Sequence, residues 1–195
     1  MRAIETTARF FAILCGWGCF ILSALIGVDV VARKFFGFSL QGTDELGGYV
    51  VAITAAFGFS LALIQRSHTR IDVFLVHVPP MGLALLNVLA MACTAVFAGF
   101  MAWRTWATLD ESLEFGSLAS TPWQTPLWIP QSIWVAGLVM FAVIATAFAV
   151  HAAVLLFADP DRLNHRYGPP SLKEEISAEL ETGVLAPGET KETPR

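Results

Sequence analysis

Apolar and polar positions alternate in long blocks along this chain. Four stretches are almost wholly apolar: residues 10–32, 46–64, 81–102 and 129–158. Each is close to or longer than the roughly 20 residues that an α-helix needs to cross about 30 Å of hydrocarbon. The second, Leu46 to Ile64, holds no ionisable side chain and lies between Asp44 and Glu45 on one side and Arg66, His68, Arg70 and Asp72 on the other. The block pattern predicts an all-α integral membrane protein with four transmembrane helices. The first stretch ends at Arg33 and Lys34; it is longer than a signal-peptide core, and is expected to be retained as a span. A fifth apolar segment, Ile71 to Val78, is too short to cross and is stopped by Pro79 and Pro80. In the fourth stretch Pro130 suits the first turn of a helix, and the excess length predicts tilt or a projecting end.

The polar blocks predict what lies between the spans. Gly37 and Gly42 break the chain after the first, where Phe35, Phe36 and Phe38 follow the basic pair as headgroup-level anchors. Trp103 and Trp106 form a similar belt after the third, and Arg104 to Leu127 reads as an ordered surface loop with Asp110, Glu111 and Glu114. Past Asp159 the chain is polar and acidic, with a short helix expected near Ser171 to Leu180 and disorder elsewhere. The expected organisation is a four-helix membrane domain, 1–158, and a mostly disordered polar tail, 159–195. Counting Lys and Arg near the helix ends gives seven on the side of the termini, Arg2 and Arg9 among them, against Arg33, Lys34 and Arg104 on the other. The excess predicts cytoplasmic termini.

Small residues recur every four positions in several spans: Cys15, Cys19, Ser23 and Gly27 in the first, Ala52, Ala56 and Ser60 in the second, and Ala145, Ala149 and Ala153 in the fourth. Such spacing lets neighbouring backbones approach in lipid, so these faces are expected to be helix seams. Together they offer more packing surface than four helices need among themselves.

Composition agrees with the pattern, with 55% hydrophobic residues, 14% charged residues and a mean hydropathy of +0.63. The net charge of -4 arises mostly in the tail: eight of the sixteen acids follow Ala158, leaving eight acids against seven Lys and Arg in the preceding 158 residues, and nothing points to nucleic acid. Cys15, Cys19 and Cys93 lie in apolar runs without a CxxC, as packed thiols do. His151 is the one histidine inside a span, so a haem held between two helices lacks its second ligand. His68 and Asp72 make at most a two-ligand metal site, with Arg70 between them opposing a cation. No cofactor and no metal are therefore expected. Asp29 is either an ion or proton site or a paired interfacial carboxylate. Glu45 and Tyr49, one turn apart, either face a partner or serve as a helix-start acid and an interfacial Tyr. No nucleophile–base arrangement, phosphate loop, broken span or internal repeat is visible, so an accessory subunit fits better than an enzyme or a carrier. A four-helix haem or quinone anchor and a small self-sufficient exporter are the competing readings.

Four short motifs then stand in order around the spans: V-V-A-R-K-F-F-G with Arg33, T-D-E-L-G-G-Y with Glu45 and Tyr49, H-T-R-I-D from His68 through Arg70 to Asp72, and I-P-Q-S-I-W-V-A-G with Pro130 and Trp134. In this combination residues 8–158 resemble the small permease subunit of TRAP transporters, the DctQ family, and the chain departs from its pattern at Gly47 and Gly48 and in the longer, more acidic tail after Asp159. The resemblance implies a non-catalytic subunit in the bacterial inner membrane that braces a large permease subunit of the DctM type. It also implies a periplasmic binding protein of the DctP type that delivers an organic anion such as a C4-dicarboxylate, with uptake driven by sodium. The motif residues Arg33, Glu45, Tyr49, His68, Arg70, Asp72, Pro130 and Trp134 become candidates for contact with the partner or with lipid headgroups, and no substrate site is implied in this subunit.

Overall fold

The computed structural model describes residues 2–65 and 78–168, the side chains of residues 2–5 and 7 excepted. It contains helices α1 (Arg2–Phe36), α2 (Thr43–Ile64), α3 (Pro80–Glu114), α4 (Trp128–Ala158) and α5 (Pro160–Tyr167). The first four are long and apolar enough to cross a membrane, as the block pattern predicts. His68, Arg70 and Asp72, and the short helix expected near 171–180, lie outside the described residues.

Local sequence sets the helix ends. Past the end of α1, Gly37 takes a left-handed conformation at φ 63, and Gly42 enters α2 at φ 91, where a side chain would be strained. Pro79 precedes α3 and Pro80 opens it, where the missing N–H costs nothing. Two elements extend past the apolar blocks. α3 runs twelve residues beyond the expected end at 102, because Trp103 to Phe115 contains neither Gly nor Pro, and loss of hydropathy alone does not stop a helix. At 35 residues α3 is about 52 Å long, more than the hydrocarbon thickness. The expected tail also begins as structure: Asp159 Oδ1 accepts from the Arg162 N–H at 3.0 Å and caps α5, whose Leu163 and Tyr167 are buried.

Packing follows the order α1–α2–α4–α3, with α5 against α3 and α4. α1 leans on α2 without a comparable contact to α3 or α4, so the four spans do not close into a ring. In α3 the buried positions include Ala84, Met91, Ala98, Thr105 and Ser112, a strict seven-residue repeat of the kind that winds helices around one another. On α4, Phe141, Ile144, Ala145, Ala152 and Leu155 join Ala84, Met91 and Ala98 in one core cluster. In α2, Ala56 and Ser60 are buried as the small-residue spacing predicts, and Ala56 meets Gly137 of α4.

The stripe expected on α1 is corrected in part. Cys15 and Cys19 lie against α2, where Cys19 Sγ is 3.5 Å from Thr54 Oγ1, but Ser23 and Gly27 are exposed. A spacing of four drifts by about 40° per step around a helix of 3.6 residues per turn. The partly buried face instead follows Phe11, Cys15, Gly18, Leu22 and Leu25 to Asp29, alternating fours and threes. Gly99 on α3 is likewise exposed while its neighbour Ala98 is buried.

A Cβ at Gly137 would stand 2.9 Å from Ala56 Cβ, whereas one at Gly99 would meet nothing within 4 Å. Gly137→Ala should therefore lower the unfolding midpoint of the solubilised chain, at a cost of about 1–3 kcal/mol. Gly99→Ala should leave the midpoint unchanged or raise it slightly, in the same thermal scan.

Candidate functional site

The short links α1–α2 and α3–α4 lie at the same end of the spans, and two buried carboxylates organise them. Glu45, in the first turn of α2, is 8% exposed. Its carboxylate accepts hydrogen bonds from Tyr49 Oη at 2.8 Å, from Thr121 Oγ1 and from the Thr125 side chain. A carboxylate has room for these donors, and its place at a helix N-terminus adds a favourable dipole. Both threonines come from the α3–α4 link, which folds as a compact loop over 117–127. Leu118 and Pro126 form an antiparallel bridge, Ala119 N–H donates to Thr125 O at 2.9 Å, and Leu127 N–H donates to Ser117 O at 3.0 Å. At its tip Gln124 adopts φ 48. We call this segment the cap loop.

Asp29, 3% exposed, does the same for the α1–α2 link. Arg33 Nη2 donates to its Oδ2 at 2.5 Å, while Ser39 Oγ at 3.2 Å and the Leu40 N–H at 2.6 Å donate to Oδ1. Thr43 Oγ1 then donates to Leu40 O at 2.6 Å, joining the link to α2. Asp29 is thus a paired carboxylate, one of its two sequence readings, and every donor reaching it comes from its own helix or link. The two networks meet at Gly42: a Cβ there would be 2.7 Å from Trp123 Cδ2, so the indole of the cap loop rests on a backbone that only glycine leaves bare.

Just below this cap, α2 and α4 part around an apolar notch of about 100 Å³ lined by Tyr49, Ala52, Ile53, Pro130, Gln131 and Trp134, with Leu127 above. Tyr49, Pro130 and Trp134, singled out in separate motifs, therefore share one wall. Among the described residues, two buried side-chain atoms lack a hydrogen-bond partner, Gln131 Oε1 and Ser60 Oγ.

The opposite end is closed by α5. Asn164 Nδ2 donates to Pro80 O at 2.8 Å, its Oδ1 accepts from Asn87 Nδ2 at 3.1 Å, and His151 Nδ1 is 2.7 Å from Tyr167 Oη. His151, the one histidine inside a span, joins this clasp through Nδ1. Among the described residues no three His, Cys, Asp or Glu side chains come together as a metal site.

Arg33, Glu45, Tyr49, Pro130 and Trp134 are thus brought to one end of the molecule, although Arg33 belongs to the Asp29 network rather than to that of Glu45. Sequence reasoning missed Thr121, Thr125, Trp123 and the Asn87–Asn164 pair. The T-P-W-Q-T string was a visible signal, since two hydroxyls four apart around a turn suit one carboxylate. Nothing local in the sequence matches Asn87 to Asn164.

Apolar spans capped by self-satisfied polar networks define a multi-pass helical membrane protein. Residues 22–155 match the family model of the DctQ component of the tripartite ATP-independent periplasmic transporters. The chain belongs to this DctQ family and is a small permease component of a TRAP transporter. The match spans the cap, the notch and most of α4, whereas α5 lies beyond it. No curated protein and no solved structure matches the chain.

Glu45→Ala removes the acceptor shared by Tyr49, Thr121 and Thr125. Limited proteolysis in detergent should then cut within 117–127 several-fold faster than in the parent, with the α3–α4 helical core left intact. Equal cleavage rates would show that the carboxylate does not hold the loop.

Proposed function

We propose that this chain is the non-catalytic bracing subunit of its transporter, set in the bacterial inner membrane with both termini in the cytoplasm. Its partner is a large permease of the DctM type, and a periplasmic DctP-type protein delivers an organic anion such as a C4-dicarboxylate for sodium-driven uptake. The observation that carries this reading is the open packing order α1–α2–α4–α3. An arrangement that does not close on itself leaves helix faces for a neighbour.

One such face lies on α2. Gly48, Val51 and Ala55 are exposed, and added Cβ atoms at Gly47, Gly48 and Gly58 would meet nothing within 4 Å. The outward faces of α1 and α3 are mixed: Trp17 61%, Phe20 67%, Val96 74% and Phe97 59% exposed stand among Gly16, Gly27 and Gly99, where an added Cβ likewise meets nothing within 4 Å. Bulky side chains suit mobile lipid tails, and small ones suit a close helix–helix approach. The departure from the family pattern at Gly47 and Gly48 falls on this small-residue face. Glu45, Tyr49, Pro130 and Trp134 act from inside by shaping the cap and its flank, Arg33 by fixing the first link. His68, Arg70 and Asp72, which lie between α2 and α3 in the sequence, are the candidates for direct contact with the permease or with headgroups. No residue in this account performs covalent chemistry.

Ala55→Leu and Gly48→Leu should reduce the yield of co-purified large permease and the rate of solute uptake together. Val96→Leu, on the outward face of α3, should change neither. Unaltered co-purification in both α2 variants would remove that face as the contact.

A further inference from the structure

Along most of its length α2 is packed into the molecule. Leu63 belongs to the cluster that holds Met91, Ala98, Phe141 and Ile144, the rings of Phe59 and Phe141 lie 5.6 Å apart, and Ala56 and Phe57 close on Gly137. Nearer the capped end this packing gives way to the notch of about 100 Å³, which opens between Ala52 and Tyr49 on α2 and Pro130 and Trp134 on α4. Gln131 lines it too, and its buried Oε1 receives no hydrogen bond.

Two features say what fills this space. The first is its place on α2. Ala52 follows Gly48 by four residues and precedes Ala55 by three, so the three share one flank of the helix, and Gly48 and Ala55 are exposed small residues of the face that meets the permease in the bracing role. The notch continues that flank toward α4, and a helix laid along the flank passes over its opening. The second feature is Gln131. At membrane depth its amide oxygen has no water to pair with, and a hydrocarbon tail carries no donor, so a protein partner completes this wall where a lipid chain does not. Size narrows the occupant: an apolar cavity of about 150 Å³ holds a benzene ring, so about 100 Å³ suits a branched aliphatic side chain of about four carbons.

We propose that the notch is the socket for one such side chain, of leucine or isoleucine size, from a membrane helix of the large permease, with a donor on the same helix pairing with Gln131 Oε1. This socket presupposes the bracing role and gives that role an anchor point. Gly48 and Ala55 let the partner backbone come close, and a filled pocket supplies the specific fit that apolar surfaces alone do not. The walls are set in advance: Tyr49 is held by its 2.8 Å hydrogen bond to Glu45, whose carboxylate is itself tied to the cap loop through Thr121.

The test is recovery of the large permease on the tagged full chain from membranes that contain both, with native mass spectrometry of the same fraction and a thermal scan of the chain alone. Ala52→Leu fills the notch from within, and Gln131→Leu removes the acceptor with little change of volume. Each should lower the recovered permease about tenfold or more, as loss of an interface hot spot does. The unfolding midpoint of the chain alone should stay at or above that of the parent, because a void is filled or an unpaired amide removed. Val143→Leu, on an exposed part of α4 away from the notch, should leave recovery unchanged. Parental recovery with either notch variant would overturn the socket and leave the bracing role standing. Absence of the permease from the parent chain would overturn the bracing role, and the socket with it. A phospholipid carried by the parent and lost from Ala52→Leu, with permease recovery unchanged, would make the notch a lipid site and also overturn the proposal.

Discussion

In hydrocarbon no water is available to pair with a polar group, so every N–H, C=O and charge in a span must be satisfied by the protein or moved to its ends. That constraint orders this molecule. The backbone is consumed in four long helices, the carboxylates of Asp29 and Glu45 stand near the ends of α1 and α2, and each is surrounded by donors drawn from the adjacent links. The links are consequently structured. Asp29 fixes the first through the Leu40 N–H, Glu45 fixes the second through two threonines, and Trp123 on Gly42 joins them. At the other end the same demand is met by amide pairing between Asn87 and Asn164 and by His151 with Tyr167.

What remains after this satisfaction is shape. Lipid is as apolar as the helix faces, so no hydrophobic force closes four spans into a bundle, and close fit decides which helices touch. Fit is good along α3–α4 and at Ala56–Gly137, and it fails around the notch. α1 makes its contact with α2 and otherwise faces outward. For a small permease component of a TRAP transporter this is a coherent design: tied ends, a packed α3–α4 core and open flanks.

Much of this was legible in the sequence, and the limits have physical causes. Hydropathy blocks located all four spans, because the length of hydrocarbon is fixed and apolar runs must match it. The same signal could not end α3 correctly, since past the membrane a helix is stopped by Gly116 rather than by loss of hydropathy. It also hid α5, whose polar face dominates an eight-residue segment while Leu163 and Tyr167 carry its docking. That Glu45 and Tyr49 share a face was readable from their spacing, and their side chains meet. The other donors to Glu45, Thr121 and Thr125, lie some 75 to 80 positions further on, and such a pairing depends on the helix arrangement rather than on local pattern. The small-residue rows were half informative: Ala56 and Ser60 are buried, but Ser23 and Gly27 rotate off the α1 seam because four residues overshoot one turn.

The measurement that tests the account most directly is purification of the tagged chain from its native membranes in mild detergent, with mass spectrometry and a visible absorbance spectrum of the same fraction. The account predicts a stoichiometric large permease and a colourless sample. A lone homo-oligomer, or a haem band in the spectrum, would contradict it.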